Sequence, residues 1–364
     1  RDSLPGDVQC HGHHGEAGED DPGERGWEDE QPRRKRERAQ VDGLALQLGR
    51  VGKDGWGVAH AGTYAAPLSV PTRPTDRSMR LSALLMLVAL AACQSTPDDA
   101  AEMRRQHDGD APTASAATDG AGTLAVVSER VTYATAGGQT VTGVLARPEG
   151  AETGVPGVVV IHEWWGLNDN VEAMARQLAA QGYLALAVDL YGGEVATDPD
   201  GAMALMRTAM GQEVALTENL AQADAFLADD LGASRVGVIG WCFGGMWSLR
   251  TTLAASDRID ATVIYYGRPV TDPARLGVLT APVLAHFGGA DDSIPADTVA
   301  AFEAALAESG VPHSVYTYAG APHAFANPSG QAYTPEAAEL AWDRTTGFLA
   351  DALQPPAAAD EVAD

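Results

Sequence analysis

The chain has 364 residues, of which 45% are hydrophobic and 20% charged, and its formal net charge at pH 7 is −26. This length suits one large domain or two small ones, and the composition excludes a collagen, a wholly disordered chain and a disulfide-dense miniprotein. Because a nucleic-acid binder needs a basic surface, the acidic charge argues against nucleic-acid partners.

The first methionine, Met79, opens a stretch that is typical of a secretion signal. Arg80 is a positive start, residues 81–92 form an apolar run that ends in small residues, and Cys93 follows directly. The run is too short to span a bilayer as a helix and has the order of a signal peptide; the alternative is a buried core helix. Because its Leu-Ala-Ala-Cys ending resembles a bacterial lipobox, we predict that Cys93 is lipidated. The protein is then exported and anchored in the cell envelope, on the periplasmic side of the outer membrane.

The segments around this signal lack a sustained helix or strand pattern. We interpret residues 1–78 as disordered upstream sequence that is not part of the natural protein, since a signal peptide belongs at the N terminus. Cys10 and the histidines after it look like a metal-binding tract. No second ligand pair has the spacing of a zinc site, so no metal is predicted. Residues 93–122 are predicted to be the lipidated cysteine and a flexible tether, and residues 355–364 a disordered tail.

Residues 123–354 show a regular alternation of strand and helix patterns. Short β-branched runs such as 158–161 are typical of strands buried on both faces, and Asn168 or Asp169 can cap a helix that Gly182 ends. The elements predicted in chain order are strands at 124–133, 141–145 and 158–161, a helix to 181, a strand at 184–188, a helix at 200–228, a strand at 236–239, a helix at 243–256, strands at 261–265 and 283–287, a helix at 296–309, a strand at 314–318 and a helix at 335–352. This alternation predicts one α/β domain with a mostly parallel central sheet flanked by helices.

The segment at 236–245 contains a candidate nucleophile. A buried strand leads into Gly-x-Cys-x-Gly at residues 240–244, and a helix follows. This is the nucleophile-elbow pattern with cysteine in place of serine, and a helix N terminus favours a thiolate at the turn. A lone cysteine is by default a small buried hydrophobic residue. Cys242, however, has this context and no disulfide partner once Cys93 is lipidated, so we predict that it is catalytic.

A nucleophile of this kind needs an acid and a histidine, which follow it in that order along the chain. Asp291 and Asp292 both follow a predicted strand, and spacing alone does not distinguish them. His323 lies in a loop before the last helix. It is the better candidate for the base, because His286 lies inside a strand and His313 at a strand start.

The chain resembles the dienelactone hydrolase family of α/β-hydrolases over about residues 124–352. The matching motifs occur in order at 162–166 (HEWWG), 189–191 (DLY), 240–245 (GWCFGG), 265–267 (YYG), 288–291 (GGAD) and 320–325 (GAPHAF). The resemblance implies an α/β-hydrolase fold and a hydrolase that cleaves an ester or lactone through an acyl-cysteine, without a cofactor. It makes Cys242 the nucleophile, His323 the base and Asp291, rather than Asp292, the acid.

The resemblance also implies roles for residues around the triad. Glu163 would help to convert the cysteine to a thiolate when substrate binds, and the backbone N–H groups of Phe243 and Trp164 would form the oxyanion hole. The family's lactonases hold the substrate carboxylate with arginines, and Asn327 occupies one of those positions here. The remaining candidates for the substrate pocket are two arginines that could replace that charge, Arg207 and Arg268, and the aromatic residues Trp165, Tyr191, Trp241 and Tyr266.

The predicted partner is a small ester or lactone, and the chain is expected to be a monomer held at the membrane through Cys93. Two alternatives stay open. The first is a thioesterase or general carboxylesterase that uses the same triad, and the second is a non-catalytic envelope lipoprotein that binds a ligand.

Overall fold

The structure is a computed structural model that describes residues 107, 110, 123–151 and 153–354. All of them belong to the unit of the chain that spans residues 75–364. The predictions for residues 1–78, for the signal peptide at 79–92, for lipidation of Cys93 and for the tail at 355–364 therefore lie outside the described residues.

Eight strands form one sheet, with the order β1-β2-β4-β3-β5-β6-β7-β8. The first two strands are antiparallel to their neighbours, and all pairs from β4 to β8 are parallel. The strands are β1 (Val126–Ala136), β2 (Gln139–Pro148), β3 (Gly157–Ile161), β4 (Leu184–Val188), β5 (Val236–Trp241), β6 (Ala261–Tyr265), β7 (Val283–Gly288) and β8 (His313–Tyr318).

Seven α-helices connect or follow these strands in the described part of the chain. They are α1 (Asp169–Ala179), α2 (Pro199–Met210), α3 (Glu213–Ala225), α4 (Phe243–Ala254), α5 (Pro273–Leu276), α6 (Ala296–Glu308) and α7 (Pro335–Leu353). Of the two caps that the sequence offers, Asn168 and Asp169, the structure uses Asn168, whose side chain accepts the N–H groups of Asn170 and Val171. Gly182, at φ 98°, ends the turn that follows this helix.

The sheet is buried on both faces, which confirms the expected α/β architecture. Successive side chains of a strand point to opposite faces, and β3 shows this directly. Val158 and Val160 pack in one core with residues of α1 and α7, whereas Val159 and Ile161 pack in another with residues of α2, α3 and α4. Since both faces are covered, every position of β3 is apolar or glycine.

Two details differ from the sequence prediction. The helix expected at 200–228 is divided into α2 and α3, because Gly211 ends the first of them, and a wider π-helical turn at Phe226–Asp230 follows the second. The four-residue helix α5 was not predicted, since one turn is too short to show a periodic pattern. Within the described residues, no helix combines the length and the apolar character needed to cross a bilayer.

Candidate active site

The parallel strands bring the predicted site residues to one edge of the sheet. Glu163 follows β3, Cys242 follows β5 and Asp291 follows β7, so all three lie beyond the carboxyl ends of parallel strands. Open α/β sheets place their binding sites at this edge. His323 joins them from the loop between β8 and α7.

Cys242 occupies a strained turn between β5 and α4. Its φ of 52° is positive, a conformation that residues other than glycine rarely adopt. The turn is also crowded: a Cβ on Gly240 would lie 2.2 Å from the carbonyl oxygen of Gly244, and one on Gly244 would lie 2.3 Å from that of Ile161. The glycines of the Gly-x-Cys-x-Gly motif are thus required by steric contact, and the thiol is held, 6% exposed, at the start of a helix.

His323 and Asp291 form a buried pair. The Nδ1 atom of His323 lies 2.7 Å from Oδ2 of Asp291, whose other oxygen accepts the backbone N–H groups of Ser293 and Ile294. Burial lowers the pKa of the His323 imidazole, but the charge of Cys242 and the hydrogen bond to Asp291 outweigh it and raise the pKa to about 10. This arrangement favours an imidazolium next to the sulfur.

The competing candidates for acid and base have other surroundings. Asp292 is exposed. His286 is buried among hydroxyl groups, with Thr345 and Tyr318 on its two ring nitrogens, and burial lowers its pKa to about 3. The Nδ1 atom of His313 lies 2.7 Å from the carbonyl oxygen of Val311. Within the described residues, the structure thus pairs His323 with Asp291.

Glu163 lies in the same site, and in the described part of the chain no cationic side chain is bonded to it. Its carboxylate accepts hydrogen bonds from the Tyr266 hydroxyl at 3.2 Å and from the Asn327 amide. Burial raises the pKa of Glu163 to about 7, and the nearby His323 and these hydrogen bonds counteract part of that rise. Asn327, which the resemblance places where related lactonases would have an arginine, thus bonds Glu163 through an amide that neutralises no charge.

His162 fixes the loop that carries Glu163 and Trp164. Its Nδ1 donates to the carbonyl oxygen of Glu163, and its Nε2 accepts the backbone N–H of Leu190. Burial lowers the pKa of His162, in agreement with the neutral tautomer that these two bonds require. Sequence reasoning quoted His162 only as part of a motif and gave it no role.

The two predicted oxyanion donors directly follow Cys242 and Glu163 along the chain. Phe243 is the first residue of α4, where backbone N–H groups have no acceptor within the helix. Trp164 follows Glu163 in the loop after β3, and its side chain is fully buried.

A small cavity with room for about one water molecule adjoins the site. Two predicted pocket residues, Trp241 and Tyr266, contribute to its lining. Trp165 and Tyr191 are buried elsewhere in the site, where Trp165 contacts Trp164 and Tyr191 contacts Phe243. The residues that line the cavity are Glu163, Asn170, Val171, Met174, Trp241, Tyr266, Ala326 and Asn327.

The structure does not bring the two predicted arginines to this cavity. Arg207, on the outer face of α2, and Arg268, after β6, are both exposed, and neither lines it. Sequence reasoning instead missed the amide of Asn170, which lines the cavity and donates to Asn327 at 3.5 Å. These two residues are far apart along the chain, so no local pattern could have paired them.

Two residues ahead of the domain also belong to this site. His107 and Asp110 fall in the segment predicted to be a flexible tether, yet both are buried. The His107 ring lies 4.6 Å from that of Trp164 and 5.9 Å from that of His323, measured between centroids. A polar tract without hydrophobic periodicity gives no signal for such a contact.

Among the described residues, no cluster of three His, Cys, Asp or Glu side chains could hold a metal ion.

Comparison with known proteins gives a consistent result. The sequence profile of the dienelactone hydrolase family matches residues 141–353. The chain is 32% identical over 223 residues to Protein usf of Aquifex pyrophilus, covering 59% of this chain and 95% of that protein. It is 28% identical over 219 residues to a provisionally named carboxymethylenebutenolidase of Aquifex aeolicus, a match that covers 58% of this chain and 94% of that protein.

Solved structures show the same relationship. A dienelactone hydrolase-like promiscuous phosphotriesterase from metagenomic libraries superimposes with a TM-score of 0.58 and 26% identity, covering 63% of this chain and 99% of that chain. The match to brefeldin A esterase has 20% identity and a TM-score of 0.54, and it covers 72% of this chain and 87% of that chain. At this identity it shows a shared fold.

Proposed function

We propose that this chain, which belongs to the dienelactone hydrolase family and is therefore a hydrolase, cleaves carboxylic esters or lactones with Cys242 as its nucleophile. The observation that carries the proposal is the buried His323–Asp291 pair, 2.7 Å apart, beside a cysteine held at positive φ between a strand and a helix. A nucleophile, a base and a group that orients the base are the parts that covalent acyl transfer needs.

In the first half of the reaction, the Cys242 thiolate attacks the carbonyl carbon and the C=O electrons move to oxygen. The N–H groups of Phe243 and Trp164 stabilise that oxyanion; a donor of this kind contributes about 3 kcal/mol where it has been measured. The C–O bond then breaks, His323 gives its proton to the leaving alcohol, and an acyl-cysteine remains.

In the second half, His323 takes a proton from water, and the hydroxide attacks the acyl-cysteine carbonyl. Collapse of this intermediate breaks the C–S bond, releases the acid and restores the Cys242 thiolate and the protonated His323. A thiolate leaves more readily than an alkoxide, so the first intermediate tends to expel sulfur again. The enzyme therefore suits esters whose alcohol leaves easily, such as enols and phenols.

Glu163 controls the state of the thiol in this proposal. Its carboxyl group is bonded to a hydroxyl group and an amide and not to a cationic side chain, and its pKa of about 7 lets it exchange a proton near neutral pH. Substrate that enters beside Glu163 changes its hydration, and the carboxylate then accepts the proton of the Cys242 thiol and returns it to the thiolate when the product has left. A Glu163→Gln variant, which cannot exchange that proton, is expected to lose most of the rate while still binding substrate.

The test is hydrolysis of phenyl acetate, a dienelactone and an acyl thioester by the full chain and by Cys242→Ala and His323→Ala. We expect each variant to lose a factor of about 1,000 or more in kcat/KM, with its melting temperature confirming that it is folded. Mass spectrometry of acid-quenched reactions should find the acyl group on the peptide that contains Cys242. Turnover that survives Cys242→Ala would refute the nucleophile, and a thioester preferred over both other substrates would favour the thioesterase alternative.

We also propose that Cys93 carries the lipid anchor, because of the charge, apolar run and small residues that precede it. Expression of the chain from Met79 onward in a bacterial host with labelled palmitate should label the protein and leave its Cys93→Ser variant unlabelled. Cys242→Ser serves as the matched cysteine control and should remain labelled. Label retained on Cys93→Ser would contradict the anchor.

A further inference from the structure

His107 is enclosed by residues of the proposed site. It is 0% exposed, and its ring contacts those of Trp164 and His323, at centroid distances of 4.6 and 5.9 Å. Trp165 lies on another side, 6.3 Å away and edge-on. The imidazole therefore occupies space next to both the base and the loop that carries an oxyanion donor.

Asp110 orients this imidazole in the same way that Asp291 orients His323. Its Oδ2 lies 2.8 Å from Nδ1 of His107, and its Oδ1 accepts the backbone N–H of Gln331 at 2.7 Å. Gly330 leaves room for the carboxylate, since a Cβ there would lie 3.2 Å from Oδ2. The site thus holds a second histidine whose ring is fixed by a buried aspartate, itself fixed by a backbone donor.

Besides Nε2 of the base His323, two polar atoms at this contact have no partner. Nε2 of His107 and Nε1 of Trp164 are both buried without a hydrogen bond in the described part of the chain. Buried polar atoms in proteins are almost always bonded, and an unmatched one is costly. Burial lowers the pKa of His107 and the charge of His323 adds to this, although Asp110 acts in the opposite direction. With its Nδ1–H donated to Asp110, a neutral His107 presents Nε2 as an acceptor, and the ring that carries the Trp164 N–H donor lies 4.6 Å away between centroids.

An unpaired acceptor and an unpaired donor on neighbouring rings match a hydroxyl group, which can donate to one and accept from the other. We propose that His107, held by Asp110, contacts the substrate and selects esters with a hydroxyl group on the acyl part. Nε2 of His107 accepts the hydroxyl hydrogen, and the Trp164 indole N–H donates to the hydroxyl oxygen. This inference rests on the proposed ester hydrolysis and adds a determinant of its specificity.

The test compares phenyl hydroxyacetate with phenyl acetate, which differ only in that hydroxyl group. In the full chain, His107→Phe keeps an aromatic ring but removes the acceptor. We expect the ratio of kcat/KM for the hydroxyacetate ester to that for the acetate ester to fall about tenfold, the effect of one hydrogen bond to a buried group. Asp110→Asn, which disturbs the tautomer, should lower the ratio in the same direction. His313→Phe, at the start of β8, is the matched control and should leave the ratio unchanged.

Binding in the Cys242→Ala background separates this inference from the proposed reaction. There we expect the hydroxyacetate ester to bind several-fold more tightly than the acetate ester, and the added His107→Phe change to abolish the preference. A preference of this kind supports the contact even if the wild-type chain hydrolyses neither ester. Two results would overturn the proposed contact. One is an unchanged ratio of kcat/KM in His107→Phe, even if both esters react faster or both slower. The other is the absence of a binding preference in Cys242→Ala.

Discussion

Replacing Glu163 by glutamine removes a buried acid whose ionisation opposes folding. The pKa of Glu163 is raised by burial from its ordinary value of 4.5 to about 7. Between those pH values the unfolded chain has lost this proton and the folded chain still holds it. The free energy of unfolding therefore decreases as the pH rises through this window. Below pH 4.5 the acid is neutral in both states, and above pH 7 the full cost is present.

The size of the effect follows from the two pKa values. Their separation implies a total cost of about 3 kcal/mol, and most of this cost develops between pH 5 and pH 8. Glutamine is nearly isosteric and can still accept from Asn327 and bond to Tyr266. The stability of Glu163→Gln relative to wild type should therefore increase by about 2 to 3 kcal/mol from pH 5 to pH 8.

Urea unfolding of both proteins at several pH values measures this difference, and other titrating groups cancel in the comparison. Glu303→Gln, on the exposed side of α6, is the matched control and should shift the difference by less than about 0.5 kcal/mol. A difference for Glu163→Gln that is flat between pH 5 and pH 8 would refute the raised pKa. The role of Glu163 as a proton acceptor near neutral pH would then lose its basis.

Other substitutions test the packing around the site and the domain. Gly244→Ala places a Cβ against the Ile161 carbonyl and should destabilise the fold by about 3 kcal/mol. Gly347→Ala, on α7 with open space around it, is the control and should stabilise the fold by about 1 kcal/mol. Equal melting temperatures for the two variants would contradict this account of the elbow. Arg258→Ala leaves the buried Asp224 carboxylate unpaired and should cost about 3 kcal/mol in urea unfolding. Arg147→Ala breaks an exposed pair and should cost less than about 1 kcal/mol.

The parts of the fold that the sequence predicts are those written in local patterns. The strand at β3 is a run of apolar residues bounded by turn residues, and the cap at Asn168 and the stop at Gly182 act within a few positions. The elbow is also a local pattern, because the two glycines that its tight turn requires lie within the five residues of Gly-x-Cys-x-Gly. Such features depend little on the rest of the chain, and the structure has each of them where the sequence places it.

The contacts that the sequence does not predict are those between distant segments. Spacing left Asp291 and Asp292 equivalent, and the family resemblance rather than geometry favoured the first. The bonds from Asn327 to Glu163 and from Asn170 to Asn327 join segments more than 150 residues apart. The burial of His107 is of this kind too, because a polar residue in a polar tract has no local reason to leave water. The folded site supplies the rings of Trp164 and His323, against which His107 packs.

The backbone strain of the domain is concentrated at this same site. Three residues other than glycine have positive φ within the described part of the chain: Cys242 at 52°, Tyr266 at 34° and Ala324 at 59°. The first is the proposed nucleophile, the second donates to Glu163, and the third follows His323. Such conformations each cost about 1–3 kcal/mol and persist only where the surrounding structure enforces them. Their occurrence around one thiol, on three separate loops, indicates that the fold holds these side chains in position at the expense of local stability. That is the arrangement expected of a catalytic site and not of a thiol that merely fills the core.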